Sequence, residues 1–113
     1  MKIERRYHPR KAVTFDVELV ISQRLYTTRA TNISLGGIQL ESTPEIISAL
    51  EQLTLSPIEC QIALDSKQMG KISLAVRLII KRRVTQCNYL LGFKFINLSL
   101  IEQQQLNILV NNI

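Results

Sequence analysis

Val13-Thr14-Phe15-Asp16-Val17-Glu18-Leu19-Val20-Ile21 decides how this chain folds. Val13, Phe15, Val17, Leu19 and Ile21 fall on one side of an extended chain, and Thr14, Asp16, Glu18 and Ser22 on the other. Neighbouring side chains of a strand point to opposite faces, so this period of two marks a strand with one buried and one wet face. The same pattern returns downstream. Cys60, Ile62 and Leu64 alternate, and Ile72, Leu74, Val76, Leu78 and Ile80 alternate through to Lys81. Tyr89, Leu91, Phe93 and Phe95 form a last strand, with Gly92 and Lys94 on its other face. Tyr26-Thr27-Thr28-Arg29-Ala30-Thr31 suits a strand because it is rich in threonine. Gly36-Gly37 interrupts, and Ile38 and Leu40 resume the alternation.

Between these runs lie turn compositions, Asp65-Ser66-Lys67-Gln68-Met69-Gly70 and Thr85-Gln86-Cys87-Asn88. Ser42-Thr43-Pro44-Glu45 reads as a turn or a helix start, with a short helical turn after it, and Pro57 keeps its segment irregular or at an edge. The period changes at Ser99-Leu100-Ile101-Glu102, a capping box in which Ser99 accepts the Glu102 amide and Glu102 reaches back. Ile101, Leu106, Leu109, Val110 and Ile113 then predict one amphipathic helix of about twelve residues, whose stripe must be buried on the sheet. Six or so short strands followed by one helix imply an all-β barrel with a helical lid. Strands and helices do not alternate, which argues against a parallel dinucleotide-binding fold.

The totals fit one domain: 113 residues, 46% hydrophobic, net charge +5. Unbroken apolar runs reach three residues or so, as in Leu78-Ile79-Ile80, whereas a membrane-spanning helix needs roughly 20. Met1 to Arg6 goes straight into charge, so no secretory signal is expected. Cys60 and Cys87 stand singly and read as reduced thiols of a cytoplasmic protein. Lys2, Arg5, Arg6, Arg10 and Lys11 stand against Glu4 alone, so residues 1–11 hold +4 of the net charge. A field of that kind attracts anions. Lys81-Arg82-Arg83 is a second basic run, read as a solvated face.

Catalytic and metal constellations are missing from the sequence. His8 is the single histidine and reads as a solvent-exposed loop residue; no nucleophile elbow, phosphate-cradling Gly-Lys loop or metal-ligand cluster appears. Asp16 and Glu18 read as a solvated strand face. The chain looks like a binder rather than an enzyme, and no cofactor or metal is expected. Arg5-Arg6-Tyr7-His8-Pro9-Arg10 places three guanidinium groups on a segment that Pro9 biases away from helix. Guanidinium can fork to a phosphate or to a guanine edge, and can stack on a base. Asn32 and Ser34 supply donors and acceptors beside Gly36-Gly37, and Gly37 admits a close backbone approach or a positive φ. The pair of motifs suits an anionic, flat-faced, acceptor-rich ligand such as a guanine nucleotide.

Arg6-x-x-x-Arg10 followed by Asn32-x-Ser34-x-x-Gly37 resembles the PilZ domain, a bacterial receptor module for cyclic di-GMP. That family's pattern is Arg-x-x-x-Arg, then Asp or Asn-x-Ser-x-x-Gly. Leu91-Gly92-Phe93-Lys94-Phe95 is similar to its last strand, and the terminal helix matches too. The resemblance implies a six-stranded antiparallel barrel over residues 13–113 with a C-terminal helix, and a basic ligand-binding arm over residues 1–12. It implies that Arg6 and Arg10 grip guanine edges and phosphates of cyclic di-GMP, that Asn32 and Ser34 contact a guanine, and that Gly37 leaves room. Arg5 doubles the first arginine, which in this family accompanies a stacked ligand dimer. Some members cover a base with an aromatic near the position of Leu90, aliphatic here. The implied role is a receptor or adaptor in motility, biofilm or related signalling. Its arm folds over the barrel with ligand, and the changed surface regulates an effector protein. The alternatives are a small basic barrel for single-stranded nucleic acid, disfavoured because the few aromatics sit mostly at core positions, and a ligand-independent interaction protein.

Overall fold

The computed structural model describes residues 10–53 and 56–112. Six strands and two helices run in the order β1 (Lys11–Ile21), β2 (Arg24–Ile33), β3 (Gly37–Ser42), α1 (Pro44–Glu51), β4 (Glu59–Ser66), β5 (Gly70–Arg83), β6 (Tyr89–Phe95) and α2 (Leu100–Asn111). The strands close into an antiparallel barrel in the order β1-β2-β3-β6-β5-β4. Closure comes from β1 and β4, with Val17 opposite Leu64 and Leu19 opposite Ile62. That pairing satisfies the two backbone edges an open sheet would leave bare.

The alternation read from the sequence becomes the inner wall. Val17, Leu19 and Ile21 from β1, Ile62 and Leu64 from β4, Ile72, Leu74 and Val76 from β5, and Leu91, Phe93 and Phe95 from β6 are all buried. Each such side chain contributes about 1.5–3 kcal/mol by leaving water. β1 starts at Lys11, two residues before the alternation becomes legible.

Two departures from strict alternation matter later. Between Ala30 and Asn32 the β2–β3 register slips, so Ala30 faces Leu40, Asn32 faces Gln39 and Thr31 is the extra residue. Between Leu78 and Ile80 the β5–β6 register slips again, with Leu78 facing Phe93 and Ile80 facing Gly92. The predicted clean alternation through Ile80 is therefore corrected: the bulge at Ile79 turns Ile80 outward, and both isoleucines are exposed.

The stretch after Ser42 forms a full eight-residue helix, not a single turn. Thr43 caps it by accepting from the Ile46 amide, Pro44 occupies the first turn, and Ile46, Ile47 and Leu50 enter the core. In α2 both halves of the capping box form: Ser99 Oγ accepts from the Glu102 amide at 3.1 Å, and the Ser99 amide donates to Glu102 Oε1 at 2.9 Å. Only part of the predicted stripe is buried. Leu106 and Val110 are covered and Leu109 half-covered, but Ile101 is 68% exposed. At 3.6 residues per turn Ile101 shares a face with Ile108, nearly opposite Leu106 and Val110. Lys11 Nζ donates to the Val110 carbonyl at 2.8 Å, which ties the last turn of α2 to the start of β1. Among the described residues, no helix is long and apolar enough to cross a membrane.

Candidate ligand-binding site

The β1–β2 register brings the two sequence motifs together. Lys11 faces Ile33 and Ala12 faces Asn32. Chain entering β1 therefore arrives where β2 ends, and Arg10 stands beside the corner that leads into β3. Arg10, Asn32, Ser34 and Gly37 all border one cavity of about 540 Å³, within the range of small-ligand sites. Arg5, Arg6 and His8 lie outside the described residues, as does Ile113.

The corner is built by its own polar groups. Ser34 Oγ accepts from the Gly36 and Gly37 amides at 3.1 and 3.2 Å, and the Ser34 amide donates to the Gly37 carbonyl at 2.9 Å. A hydroxyl holding a turn through its lone pairs keeps its proton to donate. Leu35 packs against the core and, with Leu106 of α2, borders a second small cavity behind the corner. Of the two reasons for a glycine at 37, only one operates. Gly37 has no positive φ; a Cβ there would lie 2.3 Å from the Phe93 carbonyl oxygen of β6. Strand proximity, not backbone handedness, excludes a side chain.

A lateral row completes the site. Asn32 of β2 faces Gln39 of β3, Gln39 faces Gly92 of β6, and Gly92 faces Ile80 of β5. The row runs across the outer wall, because the neighbours Ile38, Leu40, Leu91 and Phe93 point inward. Gly92 leaves a hollow between Gln39 and Ile80; a Cβ on it would sit 3.4 Å from Ile80 Cβ. Ile79 and Ile80, 57% and 53% exposed, form an apolar side of the cavity, and Lys94, opposite Gly37, brings a second cation. Gln39, Ile79, Ile80 and Lys94 were not legible as site residues. Their only sequence signal was position on the outward face of strands next to the motifs, and the Ile79 bulge hid even that. Leu90 does not border the cavity.

Other reactive groups lie elsewhere or are engaged. Lys81 pairs with Glu51 at 2.9 Å, and Arg83 donates to the carbonyls of Thr85 and Gln86 in the following turn. Neither these nor Arg82 borders the cavity. Glu18 pairs with Lys71 at 3.0 Å. Burial pushes the Cys60 thiol up to about 12, which keeps it protonated and a poor nucleophile. Among the described residues no group of three or more His, Cys, Asp or Glu is placed to hold a metal ion.

The cavity thus offers guanidinium and ammonium charge, an amide, a hydroxyl donor and an exposed aliphatic patch. Such a set suits a polar anion that also carries a flat apolar face. Compared by sequence, no curated protein matches the chain. Solved structures do match by shape. The PilZ domain of YcgR from Escherichia coli with c-di-GMP aligns with TM-score 0.72 and 20% identity over 96% of this chain and 91% of that one. The MrkH–c-di-GMP complex of K. pneumonia aligns at 0.76 and 16% over 97% of this chain, which spans 52% of that one. The motility inhibitor MotI of Bacillus subtilis aligns at 0.71 and 16% over 97% of this chain and 51% of that one. A closed six-stranded barrel with a helix after its last strand is the architecture they share, and the PilZ domain family model matches residues 4–112: the chain belongs to the PilZ domain family.

Proposed function

We propose that this chain is a cyclic di-GMP receptor that works by binding, not catalysis. The observation that carries the reading is the convergence of Arg10, Asn32, Ser34 and Gly37 on one cavity through the β1–β2 register. Arg10 forks to a phosphate or to the O6 and N7 atoms of a guanine. Asn32 and Ser34 meet the polar edge of a base, and Ile79 and Ile80 take its face in place of an aromatic. Arg5 and Arg6 add charge from the arm. Closing the arm costs roughly 1–2 kcal/mol for each residue ordered, offset by charge-assisted hydrogen bonds of about 1.5–3 kcal/mol each. The resulting surface, arm over barrel, is what an effector protein reads in the cytoplasm.

Calorimetric titration with cyclic di-GMP, GTP and a short single-stranded oligonucleotide tests the reading. Saturable binding of the cyclic dinucleotide alone, micromolar or tighter, is expected. Binding of the oligonucleotide without preference for the dinucleotide makes the protein a nucleic-acid binder. Silence with all three makes it a ligand-independent interaction module.

A further inference from the structure

Thr31 and Asn32 are consecutive, so in a regular strand their side chains would point to opposite faces. The bulge at Thr31 removes that opposition, and both reach the same atom. Gln39 Oε1 accepts from Thr31 Oγ1 at 2.9 Å and from Asn32 Nδ2 at 2.8 Å. An amide oxygen has two lone pairs, and both are used. Asn32 therefore commits one of its two N–H donors to Gln39. Its Oδ1 has no hydrogen-bond partner among the described residues, and no buried side-chain polar atom there is left unpaired, so that oxygen is accessible, on a residue that borders the cavity. Turning the Asn32 amide over alone would set two carbonyl oxygens 2.8 Å apart, which is repulsive, and turning Gln39 over with it would give up the 2.9 Å bond from Thr31, whose hydroxyl would then donate to the Gln39 backbone carbonyl at 3.4 Å.

We propose that Gln39 is a positioning residue that fixes the Asn32 amide with its oxygen toward the ligand, so that the corner selects guanine through the donors on its Watson–Crick edge, N1–H and the 2-amino group. This rests on the cyclic di-GMP reading above. An asparagine free to rotate would present a donor as readily as an acceptor, and would distinguish guanine poorly from a base without a 2-amino group. Aspartate at the same position needs no such fixing, because either carboxylate oxygen accepts.

The test is a double-mutant cycle on the full chain. Binding of cyclic di-GMP and of its inosine analogue cyclic di-IMP, which lacks the 2-amino group, is measured for the wild type, Gln39→Leu, Asn32→Asp and the double variant. Asn32→Asp keeps an acceptor at the site and serves as the reference background, its own affinity for both ligands being measured first. Gln39→Leu is expected to weaken cyclic di-GMP about tenfold and to narrow its preference over cyclic di-IMP, yet to change affinity less than about twofold when introduced into the Asn32→Asp variant. Thermal unfolding verifies each fold, with Gln39→Met as the substitute if the leucine variant does not fold. Loss of binding in Asn32→Asp, equal loss from Gln39→Leu in both backgrounds, or no effect of Gln39→Leu overturns the proposal while wild-type binding leaves the receptor reading standing. A wild-type chain that does not bind cyclic di-GMP overturns both.

Discussion

The turn after β2 and the turn after β4 use the same local chemistry in different surroundings. Ser34 accepts from the amides two and three residues on, at 3.1 and 3.2 Å, and Ser66 does the same with Gln68 and Met69 at 3.2 and 3.3 Å. A glycine opens the next strand in each case, Gly37 in β3 and Gly70 in β5. There the likeness ends. Ser34 is 6% exposed, beside Arg10 and the cavity, whereas Lys67, Gln68 and Gly70 project into open solvent. Gly37 is required because β6 passes within reach of its missing side chain; Gly70 has φ +75° and nothing within 4 Å of where a Cβ would be. A serine–glycine turn is therefore not a site. It becomes one when neighbouring strands bring a cation, a second amide and an apolar patch to it.

Five substitutions break or sharpen this contrast. Gly37→Ala has the largest effect. Its methyl collides with the Phe93 carbonyl, so strand pairing must shift, and thermal or denaturant unfolding is expected to show a loss of about 2–3 kcal/mol together with loss of ligand binding. Arg10→Ala comes next: it is exposed and borders the cavity, so cyclic di-GMP affinity is expected to fall at least about tenfold while the unfolding midpoint of the empty protein hardly moves. Equal loss of fold and binding would make Arg10 structural. Third, Ser34→Ala should cost about 1 kcal/mol more stability than Ser66→Ala, although each removes one hydroxyl serving two amides, because the Ser34 side chain is buried and both its bonds are partly buried, whereas one of the two at Ser66 is exposed. If the two variants melt alike, the surroundings of the two turns do not matter energetically. The smallest effect is Gly70→Ala, expected to cost about 1 kcal/mol through its left-handed backbone and to leave binding unchanged in the same titration.

Much of the fold was legible because burial on one face of a strand writes itself as a period of two. That holds for Val17, Leu19 and Ile21, for Ile72, Leu74 and Val76, and for Leu91, Phe93 and Phe95. It fails at Ile79 and Ile80, since a bulge shifts the face without changing residue type. The cap of α2 was legible because its two hydrogen bonds are local, whereas the depth of Ile101 was not, since which side of a helix is covered depends on where the barrel lies. For the same reason the site was read in part: Asn32, Ser34 and Gly37 share one short segment, but Gln39, Lys94 and the isoleucines belong to it only through lateral pairing.

By itself, then, the order of residues determined where strands and helices begin and turn, which corner carries the polar groups, and where positive charge accumulates. These follow from local backbone preference and from side-chain chemistry within a few positions. Tertiary structure alone decided that β1 meets β4, that Arg10 stands beside Ser34, that Thr31 and Asn32 share one oxygen of Gln39, and that the glycine at 37 answers to a carbonyl of a strand far along the chain. Strand register sets those contacts, and register is settled only when all six strands pack their inner faces against one another at once.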